Sequence, residues 1–328
     1  MNNFEKEEIK NLITKCDYSN DLKILESKYS IYPNDIYIID TLIDVYFNLN
    51  KIEECIKTIK KSIKISPSSY PEKYYTLAQL EDDKNKSVEL YKKGIEIMEN
   101  LPNKDKNIFD LISSGYASIA NLYMTTDLCD DPNAENICEE SLKKGLEING
   151  NNIDCLIQLS NLRILRKKDD EVKIILKKLS DLIFNMEFSD EDFPERDVLF
   201  NFSKNYAEIN DYKNAIKVVK LILKIDDLDL ESWYYLSFYQ YNYKNYEDSF
   251  DTLKKFEEIY QKNKNNNDWD NNILNDIIDA GKELYEVLDK MPKPLINNNI
   301  EDDEKNEQEN ENNNIINENC NEEKMNIE

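Results

Sequence analysis

The sequence has no histidine, and glycine is scarce. Its 328 residues include 0 His and only 5 Gly. Without an imidazole, the chain cannot form a Cys–His or Ser–His catalytic pair, a histidine metal ligand or a histidine pH switch. Neither GxGxxG nor GxxxxGK[ST] occurs, so the common phosphate-binding loops are also absent. These absences make an enzyme an unexpected interpretation, and no cofactor is predicted.

Paired cysteines and long apolar runs are missing as well. No CxxC occurs, and the closest cysteines, Cys129 and Cys138, are nine residues apart, which argues against a zinc or redox motif. No run of 18 uncharged apolar residues exists, so no membrane span is predicted. The first residues, MNNFEKEEIKNL, contain no apolar signal core. The predicted compartment is therefore reducing, the cytoplasm or the nucleus.

Basic residues are outnumbered by acidic ones. The chain has 42 Lys plus Arg against 67 Asp plus Glu, a net charge of −25. Like charges repel, so direct nucleic-acid binding is disfavoured and basic partners are favoured. Residues 297–328 hold 11 acidic residues, 2 Lys and 12 Asn. So few apolar side chains cannot offset the entropy of ordering, and we predict a disordered acidic tail there.

What the sequence does contain is a repeat. Pro33 and Pro67 each end a helical pattern and lie 34 residues apart, which is the period of the tetratricopeptide repeat. That template needs small residues at positions 8, 20 and 27, where the two helices of a hairpin cross closely. Six segments fit it in tandem. They predict an all-α fold, a right-handed superhelix of tetratricopeptide (TPR) hairpins.

The repeat also sets the predicted domains and the interpretation of single residues. Cys55 and Cys138 fall on position 20, and Gly94 and Gly145 on position 27, so we interpret all four as packing residues. The predicted segments are a degenerate N-terminal helix pair (1–35), six repeats (36–261), a capping helix (268–291) and the tail (297–328).

In such a superhelix, the first helix of each repeat lines the concave face. Its exposed positions are here acidic, aromatic or neutral, and Lys204 is the single basic residue among them. This pattern predicts that the groove binds an extended Lys/Arg-rich segment through charge-assisted hydrogen bonds and cation–π contacts. The predicted partner-binding residues are Tyr37, Asp40, Asp44, Glu72, Tyr75, Asp82, Asn121, Asp154, Asn161, Asp197, Phe200, Glu208, Glu231, Tyr234, Phe238 and Tyr241.

Simpler interpretations stay open beside this one. Acidic residues on a helix surface are usually just solvated, and the aromatic residues can be buried against a capping segment. An alternative function is a general TPR scaffold subunit that joins a larger complex through apolar helix faces. Salt distinguishes the two, because binding of a basic partner weakens as salt rises and an apolar contact does not.

The third repeat carries a more specific signal. It contains Leu-Tyr-Met-Thr (122–125), Asp-Leu-Cys (127–129), an acidic Pro turn (130–133) and Cys-Glu-Glu (138–140). This stretch resembles the assembly chaperones of large-subunit ribosomal protein L4, a family known chiefly from fungi. Similarity to that family covers roughly residues 67–290.

The resemblance implies a function. Members of that family bind newly made L4 through its long basic loop, keep it soluble and accompany it to the nucleus for pre-60S assembly. The resemblance therefore implies ribosomal protein L4 as partner and a chaperone in cytoplasm and nucleus. It implies no direct nucleic-acid, membrane or small-molecule partner. The basic run 163–168 is sparse for an import signal, so the sequence leaves open how the protein enters the nucleus, with entry alongside the client as one route.

Overall fold

The computed structural model describes residues 18–190, 192–263 and 271–290, and across these ranges it is entirely helical. It has fourteen α-helices and one 3₁₀ helix there. They are α1 (Tyr18–Ile31), α2 (Ile36–Asn48), α3 (Ile52–Ile65), α4 (Glu72–Gln79), α5 (Lys84–Glu99), α6 (Lys106–Thr125), α7 (Ala134–Ile148), α8 (Ile153–Leu165), α9 (Asp169–Ile183), α10 (Arg196–Glu208), α11 (Tyr212–Ile225), α12 (Leu230–Asn242), α13 (Tyr246–Asn263) and α14 (Asn271–Asp289).

The helices form two compact units, residues 1–193 and 194–328. In the first unit, α2 packs against α3, α4 against α5, α6 against α7 and α8 against α9, each pair forming a hairpin, while α1 contacts α2. In the second unit, α10 pairs with α11 and α12 with α13, and α14 contacts both α12 and α13. The predicted all-α fold of stacked helix hairpins is confirmed.

Small side chains fill the close crossings within the hairpins. Ser160, Ser203 and Ser237 occupy position 8 of their repeats and are completely buried. Cys55 and Cys138 are buried at position 20, as predicted for packing residues. Burial raises the pKa of both thiols to about 11, so they stay protonated and unreactive at neutral pH.

Gly94 and Gly145 are required because the helices approach each other too closely for a larger residue. A Cβ atom at Gly94 would lie 2.6 Å from Tyr75 Cε1, and one at Gly145 would lie 2.5 Å from Cys155 Sγ. Both distances are far below van der Waals contact. The predicted steric role of position 27 is confirmed at these two repeats.

The third repeat departs from the template in two places. Helix α6 starts at Lys106, ten residues before Tyr116, because Asp105 caps it by accepting a hydrogen bond from the Ile108 amide at 2.9 Å. The inner turn contains a 3₁₀ helix (Asp127–Asp130), whose Leu128 is buried. The repeat template predicts neither the longer helix nor the ordered turn.

The described residues include only parts of the predicted N- and C-terminal segments. Helix α1 is the described part of the predicted N-terminal pair, and residues 1–17 lie outside the described residues, as does the predicted tail at 297–328. Helix α14 buries Ile278 and Leu288, and its Gly281 meets the ring of Phe256 on α13. Among the described helices, none is both long and apolar enough to cross a bilayer.

The crossing at Gly145 gives a stability prediction. Gly145→Ala should lower the free energy of unfolding by about 1–3 kcal/mol, because Cys155 Sγ and the Ser113 carbonyl, 3.2 Å from the new Cβ, have to move. Urea denaturation measures the change. Gly150→Ala is the matched control, since its Cβ meets nothing nearer than the Leu146 carbonyl at 3.6 Å. Equal effects of the two substitutions would contradict the steric role.

Candidate functional site

Three carboxylates of the first unit lie close together. Asp40 and Asp44 are one turn apart on the same face of α2, and Glu72 starts α4, which packs against α2. Asp40 and Glu72 both raise the pKa of Asp44 through their negative charge, which shows that the three groups share one environment. We call Asp40, Asp44 and Glu72 the acidic cluster.

Only part of the acidic cluster has compensating partners. Asp40 Oδ1 accepts a hydrogen bond from Ser62 Oγ at 2.5 Å, and Asp44 Oδ1 accepts one from the Tyr70 hydroxyl. One carboxylate oxygen of Glu72, Oε2, is buried and has no hydrogen-bond partner among the described residues. The cluster therefore holds more negative charge than its surroundings satisfy.

A single lysine is buried beside the acidic cluster. Lys73 is fully buried, and its Nζ donates to the Ser66 carbonyl at 2.6 Å and to Ser62 Oγ at 2.9 Å. Its charge favours ionised Asp40 and Glu72, whereas the charges that act most strongly on Asp44 are those of Glu72 and Asp40. Burial lowers the pKa of Lys73 and raises those of Asp40 and Glu72. The charge of Lys73 thus acts on two of the three carboxylates, Asp40 and Glu72.

Among the three carboxylates, Asp44 has the most strongly raised pKa. Burial raises its pKa to about 6, and the charges of Glu72 and Asp40 add to the rise. The hydrogen bond from Tyr70 acts in the opposite direction without overcoming burial. At neutral pH Asp44 is therefore ionised in an environment that disfavours its charge, a state that an added cation would stabilise.

The predicted aromatic residues of the first unit pack inside it. Tyr75 lies against Gly94 and Gly115, and its hydroxyl donates to the Leu111 carbonyl at 3.2 Å. Tyr37 packs against the buried cluster around α2 and α3. Both side chains are partly buried, and their rings pack against neighbouring helices.

The remaining predicted residues of the first unit have separate surroundings. Asp154 Oδ2 accepts a hydrogen bond from Ser114 Oγ at 2.6 Å, which joins equivalent positions of neighbouring repeats. Asn121 and Asn161 are partly buried, and Asp82 is exposed. Of the predicted residues in this unit, the structure thus groups Asp40, Asp44 and Glu72.

In the second unit, Arg196 of the protein itself forms ion pairs with two of the predicted acidic residues, Asp197 and Glu231. Arg196 Nε lies 2.7 Å from Asp229 Oδ2, and its other nitrogens lie 2.7 Å from Glu231 and 3.0 Å from Asp197. The guanidinium also stacks 4.6 Å from the ring centre of Phe200. Burial opposes its charge, yet these carboxylates raise the pKa of Arg196. Asp197 and Glu231 are therefore already compensated.

The aromatic residues of the second unit form a continuous set of ring contacts. Phe200 is 4 % exposed and meets Tyr235 edge-on at 4.9 Å, with Lys204 Nζ 4.2 Å above the Phe200 ring. Phe238 contacts Tyr235 edge-on and stacks on Tyr234 at 6.2 Å. Phe238, 36 % exposed, is the member of this set that a partner can reach most easily.

Three further predicted residues flank these rings. Tyr234 packs against the buried cluster that includes Ile278 of α14, so the terminal helix partly covers it. Tyr241 meets Tyr246 edge-on at 5.5 Å, and Glu208 is exposed. The sequence leaves open that aromatic residues are buried against a capping segment, and this alternative applies to Tyr234.

Sequence reasoning missed three residues that shape these sites. Arg196 was placed outside the exposed positions, so Lys204 is not the only basic residue on that face. Tyr70 lies in the connection before α4 and donates to Asp44 of α2, and Lys73 lies in the first turn of α4 and donates to Ser62 of α3. Arg196 directly precedes Asp197 and lies on the same helix as Phe200, three residues before the buried Leu199. That position is the signal in the sequence for its contacts with Asp197 and Phe200.

The motif that carries the family resemblance has a structural role. Glu139 of α7 accepts two hydrogen bonds from the Arg163 guanidinium at 2.7 Å and one from Arg166 at 2.6 Å. Arg163 also lies 2.6 Å from Glu171 of α9. The hydrogen bonds from Arg163 lower the pKa of Glu139 to about 2. The neighbouring Cys138 is buried, so the motif joins α7, α8 and α9.

The raised pKa of Asp44 predicts a stabilising substitution. Asp44→Asn keeps an oxygen that can accept from Tyr70 but removes the buried charge, so the free energy of unfolding at pH 7 should rise by about 1–3 kcal/mol. The folded pKa of about 6 exceeds the ordinary value of 3.8, so protonation relieves the penalty as pH falls from 6 towards 4. The gain should therefore shrink over that range.

Urea denaturation at pH 7, 5.5 and 4 checks the Asp44 prediction. Asp82→Asn serves as the control, because Asp82 is exposed and should leave stability almost unchanged at each pH. A loss of stability in Asp44→Asn at pH 7 would show that the carboxylate is satisfied in the folded protein.

The lowered pKa of Glu139 predicts a pH dependence of stability opposite to that of Asp44. Its pKa falls from 4.5 to about 2, so its contribution is present above pH 4.5 and is lost as pH falls through 2. Glu139→Gln should destabilise the protein at pH 7 by about 1 kcal/mol, since solvent screens this partly exposed group. Thermal unfolding against pH, with the exposed Glu140→Gln as control, measures it. A deficit that persists at pH 2 would contradict the ion-pair explanation.

Known proteins resemble this chain in sequence. No family model matches it. A Schizosaccharomyces pombe protein named "Probable assembly chaperone of rpl4" is 32 % identical over 202 residues, 59 % of this chain and 60 % of that protein. An Emericella nidulans protein of the same name is 23 % identical over 219 residues, 64 % of this chain and 56 % of that protein. The matched region thus spans less than two thirds of either relative.

Solved structures resemble the chain in fold. The structure of the Assembly Chaperone of RpL4 (Acl4), residues 1-338, has a TM-score of 0.61 at 19 % identity, covering 74 % of this chain and 96 % of that one. A tetratricopeptide repeat protein from Parabacteroides merdae has a TM-score of 0.52 at 12 % identity, covering 84 % and 96 %. At these identities the likeness shows the fold alone. The resemblance predicted from the third repeat is confirmed: this chain is similar to assembly chaperones of ribosomal protein L4 in sequence and in helical-repeat fold.

Proposed function

We propose that this protein is a dedicated chaperone that binds the basic extended segment of newly made ribosomal protein L4 and escorts it to pre-60S assembly. The observation that carries the proposal is the 32 % identity over 202 residues to a protein named for that role. The chain would keep L4 soluble by covering its cationic segment until ribosomal RNA replaces it. Non-covalent binding and release are sufficient for this task.

The net charge of −25 supports capture of a basic client. Long-range attraction raises the rate at which oppositely charged proteins meet, and it weakens steeply as salt rises. The same charge disfavours binding of RNA to the chaperone itself. Release then requires no chemical step, because the denser phosphate charge of ribosomal RNA competes for the same Lys and Arg side chains.

The acidic cluster is the best candidate for a direct contact. Asp44 is ionised at neutral pH although burial and the charges of Glu72 and Asp40 raise its pKa to about 6, and Glu72 Oε2 has no hydrogen-bond partner among the described residues. A Lys or Arg of the client would supply both the missing charge and the missing donors. In the second unit, Arg196 already fills that role for Asp197 and Glu231. There we expect aromatic contacts through Phe238 and Tyr241 and charge from Glu208.

Location follows from the client's own route. Ribosomal protein L4 is made in the cytoplasm and assembled in the nucleus, so the proposed escort occupies both compartments. Arg163 and Arg166 are engaged with Glu139, which removes two of the four basic residues of the run 163–168 from an import signal. Entry together with the client is therefore part of the proposal.

Affinity purification tests the proposed function. The tagged full-length chain, expressed in its own cells and recovered at low salt, should enrich ribosomal protein L4 above all other ribosomal proteins, as measured by quantitative mass spectrometry. The Kd for the basic segment of L4 should rise at least tenfold between ~50 and ~300 mM salt. Binding that is insensitive to salt, or no enrichment of L4, would favour the scaffold alternative.

The acidic cluster predicts a substitution with opposite effects on binding and stability. Asp44→Asn combined with Glu72→Gln should weaken binding of the L4 segment by about 10–100-fold, because partly buried charge pairs contribute more than exposed ones. Yet the same variant should be more stable than the wild type when no client is bound. Isothermal titration calorimetry and urea denaturation measure the two effects.

Asp82→Asn is the control for this pair, since Asp82 is an exposed acid that follows the opposite end of α4 from Glu72. It should change affinity no more than about twofold. If the double variant and the control bind the segment equally, the cluster has no part in recognition and its raised pKa is a structural by-product.

A further inference from the structure

Helix α11 differs in charge from the rest of this acidic chain. Its sequence, YKNAIKVVKLILKI, contains four Lys and no Asp or Glu. The equivalent second helices of the other hairpins, α3, α5, α7, α9 and α13, all mix acids with their lysines. A helix that is purely basic in a chain of net charge −25 needs a physical explanation.

Three of these lysines form an exposed stripe. Lys217, Lys220 and Lys224 are spaced by three and four residues, which places them on one face of the helix, and all three are exposed. The buried residues Ala215, Val218, Val219 and Ile222 lie on the opposite face. Within the described residues, no ion pair involves these three lysines. We call Lys217, Lys220 and Lys224 the lysine stripe.

Helix α3 offers an instructive comparison. Lys57, Lys60 and Lys64 have the same three-and-four spacing and are also exposed. There, however, Glu53 and Glu54 precede Lys57 by four and three residues, so they lie beside it on the helix surface and partly neutralise it. Helix α11 has no acid of its own beside its lysines.

The acids that flank α11 in sequence are engaged elsewhere. Asp211, before the helix, accepts hydrogen bonds from the Asn214 amide at 3.2 Å and from Asn214 Nδ2 at 2.8 Å. Asp226, after the helix, accepts from the Leu228 amide at 2.9 Å. Both carboxylates cap backbone at the helix ends, and neither forms an ion pair with the stripe within the described part of the chain.

We infer that the lysine stripe is a docking surface for the chain's own acidic segment, residues 297–328. That segment holds 11 acidic residues and 2 Lys, so its charge complements the stripe. It follows α14, which contacts α12, and α12 in turn contacts α11, all within the second unit. The inference concerns the protein without client and is independent of the proposed function.

The chain is long enough for this contact. Neighbouring packed helices lie about 8–10 Å apart, so α14 and α11, separated by α12, are roughly 20 Å apart. The eleven residues from Lys290 to Glu301 span up to about 36 Å when extended. Covalent attachment gives the acidic segment an effective concentration in the millimolar range, enough for weak exposed ion pairs to be populated at low salt.

The consequence is protection of a basic surface. A lysine stripe left open would bind RNA phosphates non-specifically, whereas the tethered acidic segment occupies it first. The contact is screened by salt, so it stays reversible. A second role for the segment, direct contact with a basic client, would compete with this docked state.

Cross-linking of the full-length protein tests the inference. A zero-length carbodiimide reagent joins Lys amines to nearby carboxylates, and peptide mass spectrometry locates the links. At ~20 mM salt, links from the acids of residues 301–323 should reach Lys217, Lys220 and Lys224 at least fivefold more often than Lys57, Lys60 and Lys64. The preference should vanish at ~500 mM salt. Equal linking to both helices, or no linking to α11, would overturn the inference.

RNA binding tests whether the acidic segment keeps RNA from the lysine stripe. A full-length variant whose seven acids at 301–311 are changed to amides should bind poly(U) at least fivefold more tightly than the wild type. The gain should be lost when Lys217→Glu, Lys220→Glu and Lys224→Glu are added, but kept with Lys57→Glu, Lys60→Glu and Lys64→Glu. If neutralising the acids leaves poly(U) affinity unchanged, the segment does not cover the stripe and the inference is wrong. Neither experiment involves L4, so their failure is distinct from failure of the proposed function.

Discussion

The close crossing of two helices at a small residue is the constraint on which this structure depends. At Gly94 and Gly115 the space that a side chain would fill is taken by the ring of Tyr75, which fixes α4 against α5 and α6. That position brings Glu72, at the start of α4, to Asp44 on α2. The crowded carboxylates are therefore a consequence of helix packing, and packing energy from the rest of the hairpins holds them in place.

The distribution of partners among the acids matters more than their number. Arg196 satisfies Asp229 and Glu231 in the second unit, and Arg163 satisfies Glu139 in the first. These acids stabilise the fold and have little capacity left for a client. The acidic cluster is different, because Lys73 donates its hydrogen bonds to Ser62, Ser66 and Ser69, and Glu72 Oε2 has no hydrogen-bond partner among the described residues. For the proposed basic client, the net charge would provide long-range attraction, while the uncompensated groups would decide where the client is held.

Sequence alone predicted the packing far better than the site. The residues at positions 20 and 27, such as Cys55 and Gly145, followed from the repeat, because each helix crossing is local and recurs every hairpin. The surface could not be predicted in the same way. Arg196 and Lys73 act across neighbouring hairpins, and their reach depends on side-chain conformations that no periodicity encodes. The start of α6 was also missed, because Asp105 caps it outside the template.

The raised pKa of Asp44 would also couple the proposed recognition of a cation to proton release. A cation that settles beside this carboxylate returns its pKa towards the ordinary value, so below pH 6 the carboxylate gives up a proton to the solvent as the cation arrives. Affinity for such a cation then declines in mildly acidic surroundings, and the heat of association includes the ionisation enthalpy of whichever buffer accepts that proton.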